Sequence, residues 1–63
     1  MDTLNDKMDG MMKSLISTAV DVEKFAQGNK SAGTRIRKAM QEIKNIAQEV
    51  RVEVQEIKNG ELV

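Results

Sequence analysis

Residues 36–57 read IRKAMQEIKNIAQEVRVEVQEI. Taken at every third and fourth place they give Ile36, Met40, Ile43, Ala47, Val50, Val54 and Ile57, all apolar. That unbroken 3-4 spacing is the stripe an α-helix presents to a partner along one face. A seven-residue repeat lies on top of it. Gln41-Glu42-Ile43-Lys44-Asn45 returns as Gln48-Glu49-Val50-Arg51 and again as Gln55-Glu56-Ile57-Lys58-Asn59. A cation also stands at every seventh place from Lys30, through Arg37, Lys44 and Arg51 to Lys58. The helix is expected to carry an apolar seam, which is the candidate core and oligomer interface, with a basic row along its flank.

Upstream, Leu4, Met8, Met11, Leu15, Val22 and Phe25 keep the same spacing, with Thr18 as the one polar interruption. Met12, Ile16, Ala19 and Val20 widen that face. Asp2 or Thr3 is expected to cap this first helix, and Asp6 and Asp9 suit the positive end of its dipole. Gly10 costs the helix about 1 kcal/mol relative to Ala. The strong break is Gln27-Gly28-Asn29: Gly28 closes a helix in the left-handed conformation and Asn29 caps the next one. Ser31 and Thr34 are alternative starts for that second helix. Gly33 falls on its extrapolated seam and predicts a close approach near the turn. Asn59-Gly60 is the expected stop, with Glu61-Leu62-Val63 loose beyond it.

The expectation is therefore an all-α chain, one domain over 1–63. Helix one covers about 3–27, the turn 28–29, and helix two about 30–59, folded back as an antiparallel hairpin. A chain of 63 residues buries too little surface to be comfortable alone, and small domains of this size add disulfides, metals or a second copy. There is no Cys and no His, which removes disulfides and the usual soft metal ligands. Pairing two hairpins into a four-helix bundle is the remaining solution, with a longer coiled coil along helix two as the competing assembly.

The formal net charge is zero, yet its distribution is uneven. Residues 1–23 hold five acids against Lys7 and Lys13, residues 24–44 hold six cations against Glu42, and residues 45–63 hold four acids against Arg51 and Lys58. For Arg51 and Lys58, surrounded by Glu49, Glu53 and Glu56, pairing with acids of a neighbouring helix is the favoured reading. The cluster from Lys30 to Lys38 differs. It occupies the first two turns of helix two, where the dipole favours acids, and no acid lies between Gln27 and Gln41. Free N–H groups, small residues and cations at a helix start suit an anion, with the Ser31 and Thr34 hydroxyls as further donors. A merely solvated charged turn is the alternative, and the residues leave both open.

Catalysis is not expected. Without His or Cys there is neither a nucleophilic triad nor a conventional proton shuttle. Glu42, Glu49 and Glu56 repeat at seven, too far apart to share a metal. No Trp or Tyr and a single Phe leave nothing to stack on exposed bases, so any nucleic-acid contact runs through the phosphate backbone. No cofactor, metal or small-molecule substrate is expected. No apolar run approaches the roughly 20 residues of a membrane span, and Met1 leads into Asp2 and Asp6 rather than a secretory signal.

At Gly28-Asn29-Lys30-Ser31-Ala32-Gly33-Thr34-Arg35-Ile36-Arg37-Lys38-Ala39 the chain resembles the bacterial histone H1-like family, which includes chlamydial nucleoid-condensing proteins and short relatives in Bacteroidetes. The likeness extends more loosely from about Leu15 to Lys58. It implies DNA binding and genome compaction, with Lys30, Arg35, Arg37 and Lys38 at the matching positions. The condensing members carry a long Lys- and Ala-rich C-terminal tail, and the expectation is a short form without it, found in bacteria and some bacteriophages. DNA is thus the expected partner, contacted without sequence preference through Lys30, Ser31, Thr34, Arg35, Arg37, Lys38 and Lys44. The expected setting is the cytoplasmic nucleoid or packaged phage DNA. The alternative is a small helical oligomerisation or protein-interaction module that binds no nucleic acid.

Overall fold

The computed structural model describes residues 2–61, with side-chain surroundings for residues 3–60. Two helices account for it: α1, Asp2–Ala26, and α2, Lys30–Glu61. The capping role expected of Asp2 and the tail at Leu62-Val63 lie outside the described side chains and residues. Thr3 sits inside α1 and does not act as a cap: its hydroxyl donates to Glu53 Oε1 near the far end of α2. Gly60 does not stop α2, which runs through it to Glu61. Its φ is not positive, so its backbone simply continues the helix.

The turn is built as the sequence dictates. Gly28 has φ of 99°, the only positive φ among the described residues. Asn29 N–H donates to Lys24 O (3.0 Å) and Gly28 N–H to Phe25 O (3.0 Å), the paired bonds that close a helix on a left-handed glycine. Asn29 O then accepts the first bond of α2, from Ala32 N–H at 3.2 Å. The chain folds back at once, and the ends meet: Lys7 and Asp21 of α1 reach Glu53 and Arg35 of α2 respectively. The helices are antiparallel neighbours within a rod of 54 × 16 × 11 Å.

Burial shows which positions face inward, and heptad letters describe them. On α2 the inner a row is Ile36, Ile43, Val50 and Ile57, and the inner d row is Ala32, Ala39, Ile46 and Glu53, all buried or half-buried. On α1 the a row is Leu4, Met11 and Thr18, continued at the turn by Phe25, which is 54% exposed, and the d row is Lys7, Ser14 and Asp21. This changes the reading of α1. Met8, Leu15 and Val22, expected on the seam, stand in the e row beside it and are about half exposed. Lys7, Ser14 and Asp21 take the inward places instead.

The reason is the width of the apolar surface on α1. It runs through a, e and b and reaches f at Ile16 and c at Val20, far more than one neighbour covers, and α2 lies along one edge of it. Small residues at that edge let the backbones approach. Ala32 is fully buried, Thr18 nearly so, and no large side chain is fully buried. Gly33 is where contact is tightest. A Cβ there would come within 2.8 Å of the Phe25 ring, so the expected close approach near the turn is present. Thr18 satisfies its hydroxyl locally by donating to Ser14 O at 2.7 Å.

Candidate functional site

An antiparallel pair puts the e rows of both helices on one side and the g rows on the other. The e side holds Met8, Leu15 and Val22 of α1 with Gly33, Met40, Ala47 and Val54 of α2. A shallow hollow of about 460 Å³ opens there near the turn, floored by Val22, Phe25, Gly33 and Ile36 and rimmed by Lys30, Thr34 and Arg37. The g side is polar. It carries Ser17 and Lys24 of α1 and Arg35, Glu42, Glu49 and Glu56 of α2, together with the cross-helix bonds of Thr3 and Arg35.

These rows split the expected oligomer seam. Ile36, Ile43, Val50 and Ile57 are half-buried against α1 of the same chain. Met40 (42% exposed), Val54 (41%) and the half-buried Ala47 line the open e side. The back of α1 continues that apolar surface with Met12, Ala19, Val20 and Ile16, the last 67% exposed. These residues were read in the sequence only as widening a face. The signal that would have found them is the row Met8, Met12, Leu15, Ala19, Val22, itself an unbroken 4-3 stripe.

The basic residues also separate. Arg35 is engaged: its Nε donates to Asp21 Oδ1 at 3.0 Å, and its Nη1 lies 3.4 Å from Ser31 Oγ. Ser31 Oγ in turn donates to Asn29 Oδ1 at 2.7 Å, which ties the hydroxyl into the helix start. Lys30, Arg37, Lys38 and Lys44 are exposed and make no ion pair among the described residues, and Thr34 is exposed beside them. The first turn of α2 has no acid. Arg51 and Lys58 likewise make no ion pair among the described residues. The ion pairs among the described residues are Lys7–Glu53 (3.6 Å), Lys13–Asp9 (3.0 Å) and Asp21–Arg35.

Around the outside of α2 the rows follow in the order e, b, f, c, g. Row b is Lys30, Arg37, Lys44, Arg51 and Lys58. Row f is Thr34, Gln41, Gln48 and Gln55, and row c is Ser31, Lys38, Asn45, Val52 and Asn59. All acids of α2 before Glu61 lie elsewhere, at g (Glu42, Glu49, Glu56) or inside (Glu53). The outward face is therefore cationic and acid-free across three adjacent rows.

No cluster of three or more potential metal-ligating side chains occurs among the described residues. No described helix is long and apolar enough to cross a membrane. The family model described as histone H1-like protein Hc1 matches residues 5–60. No curated protein and no solved structure matches the chain.

Proposed function

The chain belongs to the histone H1-like family, and from that premise we propose that it is an architectural DNA-binding protein of the nucleoid or of packaged phage DNA. It grips the phosphate backbone without sequence preference through the turn-proximal part of α2. The observation that carries this reading is the set Lys30, Arg37, Lys38 and Lys44, exposed and without an ion-pair partner among the described residues, on a helix start that lacks acids. Thr34 adds a hydroxyl donor. Arg35 and Ser31 contribute by ordering the turn, since both are committed to Asp21 and Asn29.

The working unit is a homodimer with a four-helix core. The single hairpin exposes 5123 Å², whereas a compact globular monomer of its mass exposes about 4,000 Å². The surplus of about 1,000 Å² per chain matches what each partner buries in an obligate dimer. The apolar e side and the back of α1 supply that surface, so Met8, Met12, Leu15 and Ile16 join Met40, Ala47 and Val54 at the interface. Two chains then present two basic patches to one duplex.

The test is binding to a duplex of arbitrary sequence across 50–200 mM salt, run beside a solution mass measurement. Four phosphate contacts per chain predict a log–log slope near −3.6 per chain bound. Reversing Lys30, Arg37, Lys38 and Lys44 to Glu should abolish binding while mass and helicity stay unchanged. Binding that ignores those reversals, or no binding at low salt, would overturn the proposal.

A further inference from the structure

We infer that the whole outward face of α2, from Lys30 to Lys58, is one phosphate-binding track for duplex DNA, so that the contact surface is not confined to the turn. This rests on the DNA-binding reading above and extends it beyond the twelve-residue segment at the turn to Arg51 and Lys58, nearer the far end of the same helix.

Charge placement carries the argument. Exposed helix surfaces ordinarily neutralise cations with acids three or four residues away. Lys30, Arg37, Lys44 and Arg51 have none at those distances: their neighbours are Ala26, Gln27, Gly33, Thr34, Met40, Gln41, Ala47, Gln48, Val54 and Gln55. Lys38 has Glu42 four residues on but forms no pair with it. Lys58 has Glu61 three residues on, and the acids of α2 before it lie at the other flank (Glu42, Glu49, Glu56) or inside (Glu53). Five cations at four successive seven-residue steps leave a cationic edge about 42 Å long, with cations about 10.5 Å apart. A duplex repeats every 34–36 Å or so, so an edge of that length reaches phosphates on both sides of a groove.

The surface between the cations also suits phosphate. Between Lys44 and Arg51 lies a shallow hollow of about 330 Å³ lined by Asn45, Ala47 and Gln48 as well. Amide side chains at Gln41, Gln48 and Gln55 follow Arg37, Lys44 and Arg51 at four residues. Gln41 and Gln55 each donate one N–H, to Asn45 and Asn59 respectively, and keep a second N–H for a phosphate. Phosphate contacts in protein–DNA complexes use this mixture of cations and amides. Duplex is favoured over single strands because the one aromatic, Phe25, lies at the turn end beside Gly33, and from Lys38 to Lys58 the track offers no ring for successive bases to stack on.

The experiment compares the intact chain with two double variants, Arg51→Gln/Lys58→Gln and Lys30→Gln/Arg37→Gln, by anisotropy of a labelled 30-base-pair duplex over 50–200 mM salt. Gln keeps helix propensity close to that of Lys and Arg, and circular dichroism with solution mass checks each fold. A six-cation track predicts a slope near −5.4 per chain for the intact protein, and each double variant should lose about 1.8 of it. An Arg51→Gln/Lys58→Gln slope equal to that of the intact chain, with the turn-end variant reduced, overturns the track and leaves the turn-only contact standing. No salt-dependent binding by the intact chain overturns the DNA reading itself. A changed mass for Arg51→Gln/Lys58→Gln places those cations in the dimer interface and overturns the track. So does tighter binding of the intact chain to anionic phospholipid vesicles than to duplex.

Discussion

The outer faces of the two helices have opposite chemistry. The back of α1 carries Met12, Ile16, Ala19 and Val20, and the back of α2 carries Lys30, Arg37, Lys44, Arg51 and Lys58 among amides, with Val52 as its one large apolar residue. Both helices are amphipathic, and they share one seam between them. What differs is the apolar width left over. The stripe on α2 is little wider than its two inner rows plus the e flank, so its back is free to be charged. That on α1 is wider than its neighbour covers, and the remainder is the surface the proposed dimer would bury. In the proposed function α1 serves assembly and α2 an anionic ligand.

The largest expected effect comes from breaking the assembly face. Met12→Asp/Ile16→Asp should reduce the solution mass to that of one chain, because each substitution places a charge where about 1.5–3 kcal/mol of apolar burial is expected. An unchanged mass would show that the back of α1 is not the interface. Next is the seam itself. Ile43→Ala removes a half-buried side chain at the middle of α2 and should cost about 2 kcal/mol in thermal or urea unfolding, less than a fully enclosed site.

Gly28→Ala forces a side chain into the left-handed conformation and should cost about 1 kcal/mol of stability without altering the DNA salt slope. Gly10→Ala should do the reverse, gaining up to about 1 kcal/mol, since nothing lies within 4 Å of the added Cβ and the helix continues through it. The smallest effect sharpens the comparison on the α2 side. Asp21→Asn removes the partner of Arg35, an exposed cross-helix pair worth less than about 1 kcal/mol. It should raise DNA affinity and steepen the salt slope by about 0.9 as Arg35 becomes available.

Much of the architecture was legible because it rests on local signals. The period of the apolar residues, Gly28 with Asn29 at the turn and Gly33 facing Phe25 are all properties of short windows. Rotation about the helix axis was not. On α1 the sequence offers two overlapping stripes, Leu4-Met11-Thr18-Phe25 with Met8-Leu15-Val22, and Met8-Met12-Leu15-Ala19-Val22. Hydrophobicity alone cannot assign one to the internal neighbour. The polar residues that resolve it, Lys7 and Asp21, face inward only because Glu53 and Arg35 meet them across the seam. The same cross-helix pairing separates Arg35 from the other cations of the turn. Glu53 itself looked like one more surface acid near Arg51, yet it lies at an inner position, with Oε2 buried and without a hydrogen-bond partner among the described residues.

Side-chain NMR of the assembled protein titrated with a short duplex at low salt addresses the division of labour between the helices directly. The account predicts that the Lys and Arg side-chain signals of residues 30, 37, 44, 51 and 58 move together, while the methyl signals of Met12, Ile16 and Val20 stay where they are in the DNA-free dimer. Shifts concentrated on the α1 methyl groups, with the α2 cations unaffected, would contradict it.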